Sequence, residues 1–433
     1  MKEEKLSYYL NKAKMIGPNS SEKKIKIAIL GSFTLNGLVE VLQVKCAELN
    51  TKFVSYVGEY NQYNQEILNS KSHLYQFNPD ITFLLVDTRT ILGDTYYFPY
   101  DISVLDRKKI VEEKFLELKH LITSFKQTSK SKLIIANFSI PVYSSYGIYE
   151  NKTEFNLKKM IMELNAKLED MVQKENSIFL YDFDGFMRKF GEAHVFNYRQ
   201  YFFGDVKVGI DYLPYLGYEL MGYVKAVLGL SKKCIVVDLD NTLWGGVIGE
   251  DGFNGIKLGP YTQGRPFLEL QKILLALNKR GIILAINSKN NYDDAIHVIR
   301  EHPYMLIKED NFASIRINWE DKISNIQEIA NELNIGLDSI VYLDDDPINR
   351  EFMKTSLSQI LTVDLPRDPS EYSLCVTNLN DFNLLQNTED DIKRSKMYNE
   401  EQQRKELQKN IPNLENFLQK MNIKVLIKNG DDF

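Results

Sequence analysis

Short apolar runs separated by longer amphipathic stretches organise this chain almost from its start. Residues 25–30 (IKIAIL), 81–86 (ITFLLV), 133–136 (LIIA) and 177–181 (SIFLY) are nearly continuous apolar or β-branched runs, each followed by Gly, Asp or Asn. Such runs predict strands buried on both faces, as in a parallel sheet. Between them lie helix-length segments, notably 104–125 and 155–173, with apolar residues at spacings of three and four. A helix over 212–230 closes this alternation, and Ser231-Lys232-Lys233 forms a polar hinge. A second alternation starts at once. It predicts strand 234–239 (CIVVDL), helix 266–279, strand 282–286 (IILAI), helix 292–301, a short strand at 305–307, helix 322–333 and strand 339–343 (SIVYL). Beyond Pro366 the chain turns charged, with helices expected at 390–409 and 414–421 and a strand at 423–427 (IKVLI). The expected fold is α/β: two Rossmann-like domains with parallel sheets flanked by helices, plus a C-terminal helical tail. The expected boundaries are 1–230, 231–370 and 371–433, the last being the start of a missing C-terminal domain.

Composition narrows the function classes. A length of 433 residues suits two or three domains. With 44% hydrophobic and 26% charged residues, wholesale disorder is excluded. A net charge of −6 argues against a dedicated nucleic-acid binder. No apolar run has the length of a membrane helix, and the start, MKEEKLSYYL, has no apolar signal region. The three cysteines, Cys46, Cys234 and Cys375, are far apart and lack C-x-x-C spacing, which argues against a disulfide framework or a cysteine zinc site. The expectation is a cytoplasmic protein of a reducing compartment, with neither membrane nor nucleic acid as partner.

The chemistry concentrates in VVDLDNTLWGGVIGEDG, residues 236–252. Asp238 and Asp240 sit at the C-terminal end of a buried strand, where open α/β sheets place their sites. Two carboxylates in such a pocket repel unless a cation joins them, and Mg²⁺ takes few carboxylates plus phosphate oxygens. Asp238 is the candidate nucleophile at phosphorus and Asp240 the candidate acid for the leaving oxygen, with Thr242 holding the loop. Ser288, after Asn287 at the end of IILAI, offers a hydroxyl to a phosphate oxygen. Lys322 opens a helix, where it neutralises phosphate charge and pairs with Asp238. Asp344 and Asp345 follow SIVYL and supply further acids for the metal. Singly, each has a structural reading: a strand-end serine, a surface lysine, an acid cluster capping a helix. Together they predict Mg²⁺-dependent phosphoryl chemistry.

That ordered set resembles the haloacid dehalogenase superfamily of aspartate-nucleophile phosphotransferases. DLDNTLWGGVIGEDG, followed by LAINSKNN, INWEDK and YLDDDP, is similar more narrowly to the FkbH-like family. The resemblance implies transfer of a glyceryl unit from 1,3-bisphosphoglycerate to an acyl carrier protein, through its phosphopantetheine arm, with loss of phosphate. It implies catalytic Asp238, Asp240 and Lys322, phosphate- or substrate-binding Thr242, Asn287 and Ser288, and one Mg²⁺ on Asp238, Asp240, Asp344 and Asp345. Asp240 contributes to the metal by its backbone carbonyl. Family members often carry Cys where Asn287 stands, to hold the glyceryl as a thioester. The expectation here is direct attack by the carrier thiol, with Asp238 accepting the phosphoryl group and Asn287 hydrogen-bonding the acyl carbonyl or hydroxyl. The alternatives are a phosphatase for another small phosphorylated metabolite and a non-catalytic carrier-docking scaffold.

The N-terminal half resembles the SGNH-hydrolase-like module that precedes the phosphatase-like domain in this family. Ser32 stands where such hydrolases keep their nucleophile, and Asp87 and Asn137 end later strands. The segment expected to carry the base, GIDYLPYLGYELMG, has no histidine, and His194 lies upstream of it. A docking or substrate-positioning domain is the expectation rather than an esterase. The aromatic group Tyr198, Tyr201, Phe202 and Phe203 reads as core or interface packing ahead of a ligand cage.

Overall fold

A computed structural model describes residues 3–17, 23–386 and 388. The expected tail helices and the strand at 423–427 fall outside the described residues. The chain divides into two compact units between Val224 and Lys225.

The first unit holds five parallel strands in the order β2-β1-β3-β4-β5. They are β1 (Lys24–Gly31), β2 (Lys52–Val57), β3 (Ile81–Leu85), β4 (Lys132–Ala136) and β5 (Ile178–Tyr181). Ala28, Leu30, Leu84, Leu133 and Ile135 join one core with Leu118, Ile122, Ile161 and Leu164, from the helices Val104–Thr128 and Leu157–Val172. Ile27, Ile29, Phe83 and Ile134, on the alternate positions, are equally buried. Both sheet faces are therefore covered, as the continuous apolar runs require.

The second unit repeats the plan in the order β10-β9-β6-β7-β8, again all parallel. The strands are β6 (Cys234–Val237), β7 (Ile283–Ser288), β8 (Phe312–Ile317), β9 (Ile340–Leu343) and β10 (Leu361–Thr362). Ile235, Val237, Leu284, Ile286, Val341 and Leu343 face one core, which includes the helix Arg265–Lys279. Cys234, Val236, Ile283, Ala285, Ile340 and Tyr342 face the other, under the helix Lys322–Glu332. Tyr372, Val376 and Phe382 pack into the first of these cores.

β2 and β10 are strands the apolar pattern does not predict, and one predicted strand is absent. Residues 305–307 are not a strand; the third strand of this alternation is β8, just downstream. Met305 and Ile307 are buried, but the Leu306 N–H donates to the Gln271 side chain (2.8 Å) instead of to a neighbouring strand. A buried side-chain amide thus replaces a sheet ladder. Among the described residues, no helix is long and apolar enough to cross a membrane.

Candidate active site

The central position of β6, between β9 and β7, fixes the site. Val237 pairs with Leu343 and with Ile286, so the residues that follow on all three strands arrive side by side. The Asp238 N–H extends the ladder to the Leu343 carbonyl (2.9 Å), which sets Asp238 beside Asp344. The helix Lys322–Glu332 starts at Asp321, whose carboxylate caps the Ser324 N–H (3.0 Å). Its first residue sends Nζ between the two acids, 2.7 Å from Asp238 Oδ2 and 2.7 Å from Asp344 Oδ2. Lys322 is 5% exposed and Asp344 fully buried.

Asp238, Asp344 and Asp345 can each bring one carboxylate oxygen within 4.8 Å of the others. Three acids facing one ammonium leave an excess of two negative charges in a mostly dry pocket. Burial, reinforced by Asp344, holds the Asp238 carboxyl above the usual range against the opposing pull of Lys322. Burial, then the charges of Asp238 and Asp344, push Asp345 up to about 6. Burial pulls the Lys322 ammonium down, but the two carboxylates more than reverse this and hold it above its ordinary value. Acids held up in this way gain by taking a cation, and an all-oxygen set of carboxylates suits Mg²⁺. The residues therefore fit a divalent metal.

Asp240 is oriented by the loop it belongs to. Its Oδ1 accepts from the buried Trp244 indole (2.8 Å) and the Ile248 N–H (3.1 Å), while Oδ2 accepts from Asn290 (3.1 Å). Its carboxylate is outside the metal-competent trio, so the metal expectation for Asp240 rests on its backbone carbonyl alone. Asn241 at φ 51° and Gly246 at φ 92° turn this loop, with the Asn241 side chain accepting the Gly246 N–H (2.8 Å). Ser288 is buried at the end of β7, and its hydroxyl accepts from Asn290 (3.1 Å).

Thr242 and Asn287 make buried contacts that join the site's segments, for Thr242 the loop-holding role expected of it. The Thr242 hydroxyl is fully buried and accepts the Asp345 N–H (3.2 Å), tying the two acid-bearing loops together. Asn287 is fully buried as well; its Nδ2 donates to the Lys322 carbonyl (2.8 Å) and its Oδ1 accepts from Asn325 (3.1 Å). Strand alternation places Asn287 with Ile283 and Ala285 on the face under the helix, so it anchors Lys322 and does not reach towards an acyl group.

Four contributors escaped sequence reasoning. Tyr342 donates its buried hydroxyl to Asp344, and its i, i+2 relation to Asp344 on one strand was a readable signal. Arg350 Nη1 donates to the carbonyls of Asp344 (2.8 Å) and Asp345 (2.6 Å). Trp244 and Asn290 hold Asp240, and of these only Asn290, two residues after Ser288, had a spacing that pointed to the site.

In the first unit, Ser32 ends β1 and its hydroxyl accepts the Asp87 N–H (2.8 Å). Asp87 forms a buried ion pair with Lys207 (2.9 Å). Asn137 bridges to Asp182 (2.8 Å) and accepts the Asp184 N–H (2.8 Å). His194 is exposed on the short helix Glu192–Val195.

Two parallel α/β units, one carrying buried strand-end acids bridged by a lysine, define a phosphatase-like protein. Residues 26–225 match the FkbH, N-terminal domain family model. The crystal structure of the N-terminal part of protein BF1531 from Bacteroides fragilis, containing a phosphatase domain and complexed with Mg, is similar at TM-score 0.81 and 28% identity, covering 88% of this chain and 100% of that one. A catalytic mutant of Axe2, an acetylxylan esterase from Geobacillus stearothermophilus, aligns over 40% of this chain and 85% of that one at 13% identity and TM-score 0.27, too loosely to carry an argument. No curated protein matches the chain.

Proposed function

We propose that this protein is a Mg²⁺-dependent phosphotransferase of the haloacid dehalogenase type that loads a glyceryl unit onto an acyl carrier protein. The observation that carries the reading is Lys322 Nζ set 2.7 Å from both Asp238 and Asp344. That contact holds the nucleophile's carboxylate in place beside a cation able to offset phosphate charge. A Mg²⁺ on Asp238, Asp344 and Asp345 would supply the remaining positive charge, in line with the Mg found with the Bacteroides phosphatase domain.

Asp238 attacks phosphorus, the bond from phosphorus to the leaving oxygen breaks, and Asp240 gives that oxygen its proton. Water then attacks the aspartyl-phosphate, Asp240 takes the water's proton, and phosphate departs. With 1,3-bisphosphoglycerate, the carrier's thiol attacks the C1 carbonyl and expels that phosphate by C–O cleavage. Asp238 is left to remove the C3 phosphate ester. An enzyme thioester finds no ready thiolate: burial pushes the Cys46 thiol up to about 12, and raises Cys234 and Cys375 too. The carrier's own thiol therefore takes the acyl group.

A second reading, a phosphatase for another small phosphorylated metabolite, is favoured by Asn287 being committed to Lys322 and Asn325. One incubation separates the two. Enzyme, Mg²⁺, 1,3-bisphosphoglycerate and a panel of carrier proteins are combined, the carriers are weighed and phosphate is measured. A glyceryl mass on a carrier supports the transferase, phosphate without it supports the phosphatase, and neither product sinks both.

A further inference from the structure

The aromatic residues that the sequence assigns to packing are not core. Tyr198, Phe202 and Phe203 are 62%, 74% and 89% exposed. Tyr198 and Phe202, with Tyr96, Tyr100, Tyr143 and Tyr201, line a cavity of about 340 Å³ within the first unit. Its walls come from the segments that follow β3, β4 and β5: Arg89 to Tyr100, Pro141 to Glu150, and Glu192 to Phe202. Open parallel sheets hold ligands outside the C-terminal ends of their strands, and the volume is that of a small-molecule site. Exposed rings gathered around a concavity leave apolar surface in water that a ligand would cover.

The polar groups of the wall select the ligand's charge. Glu150 already receives the hydroxyls of Tyr100 and Ser144, and Glu192 accepts the Val142 N–H (2.8 Å). Arg89 differs. Its guanidinium lies 4.7 Å from the Tyr201 ring centre, 4.7 Å from Phe196 and 5.2 Å from Tyr96, yet its Nε and Nη1 have no hydrogen-bond partner among the described residues. Ring faces stabilise the charge but give those N–H groups no good acceptor. The acids are spoken for, whereas Arg89 is met only in part, by the Tyr201 and Tyr96 hydroxyls, and its Nε and Nη1 still call for an anionic oxygen.

We propose that this cavity binds a free small organic anion: an aromatic or apolar body stacked among Tyr198, Tyr201 and Phe202, with a carboxylate, phosphate or sulfonate on Arg89. The site is independent of the acid cluster at Asp238 and of the activity assigned there.

A matched pair of fluorescent probes tests it on the full-length protein: 8-anilinonaphthalene-1-sulfonate, and N-phenyl-1-naphthylamine, which has the same rings without the anion. The expected result is saturable one-to-one binding of the sulfonate, tighter than its neutral partner by tenfold or more. Arg89→Met should abolish that preference, and Phe202→Ala should weaken both probes several-fold. Because Phe202 is largely exposed, its truncation leaves the fold intact even if Arg89→Met does not fold. Equal affinity for the two probes, or sulfonate binding that ignores Phe202→Ala, overturns the proposal. Phosphate release by the Asp238 site should be unchanged in Phe202→Ala, which keeps this test separate from the proposed activity.

Discussion

Replacing Lys322 by Met keeps most of the side chain's volume and removes its charge. The ammonium is 2.7 Å from each of two carboxylates, one fully buried and the other nearly so. Deleting one partner of such a set leaves the others desolvated and uncompensated, which costs about 3–5 kcal/mol in comparable buried pairs. For a unit of this size that lowers the melting temperature by roughly 6–20 °C. The loss is largest in chelator at pH 8, above the value of about 6 to which Asp345 is pushed. It should shrink towards pH 5, because Asp345, whose folded-state pKa is raised to about 6, takes up a proton there and relieves part of the repulsion. Urea titration of wild type and Lys322→Met, in EDTA and in Mg²⁺, measures both effects. Adding Asp344→Asn to Lys322→Met should recover part of the loss, since the deepest orphaned charge is gone. The reasoning fails if Lys322→Met stays within about 1 kcal/mol of wild type at pH 8 in EDTA, since nothing on that scale fits a buried charge losing its partner.

Asp238→Asn should keep the fold and lose phosphate release, and fluoroberyllate soaked into wild-type crystals should be found on Asp238; density on any other carboxylate rejects the nucleophile. Asp345 must ionise to hold a metal, so Mg²⁺ affinity should fall as pH drops through about 6, by calorimetry. In the metal-free protein the sign reverses: an acid with a raised folded pKa opposes folding above it, so the stability gap between wild type and Asp345→Asn should close as pH falls below about 6. Asn287→Ala removes its buried bonds to the Lys322 carbonyl and to Asn325, and should cost about 1–3 kcal/mol in urea unfolding. Ser32→Ala should leave any p-nitrophenyl ester turnover unchanged, and an ester activity that disappears with Ser32 contradicts the non-esterase reading.

Much of this arrangement could be read from the chain because strands buried on both faces advertise themselves. β1, β3, β4, β6, β7 and β9 are runs of apolar residues, and the acids and Ser288 stand at their ends. β2 was missed because it is an edge strand whose residues are half-exposed, so KFVSYV mixes polar and apolar positions. β8 was passed over for Met305–Ile307, whose burial depends on the Gln271 amide from a distant helix. The scaffold contacts of Asn287 are hidden from the sequence for a similar reason. Its neighbours in sequence belong to the active site, but its partner is a backbone carbonyl 35 residues away that no local pattern reveals. Ser288, one position on, points to the other side of the sheet.

The loops of the acid site are joined by single polar bridges: Thr242 to Asp345, Asn290 to both Asp240 and Ser288, Asn287 to Lys322. Two of these bridges end on main-chain groups, the Asp345 N–H and the Lys322 carbonyl, whereas Asn290 meets the Asp240 and Ser288 side chains. A main-chain end survives substitution at its own position, so the Thr242 and Asn287 side chains alone carry those two joints. Among relatives, a change at Asn290 should therefore travel with a change at Asp240 or Ser288, while Thr242 and Asn287 answer to no particular side chain at the far end of their bonds.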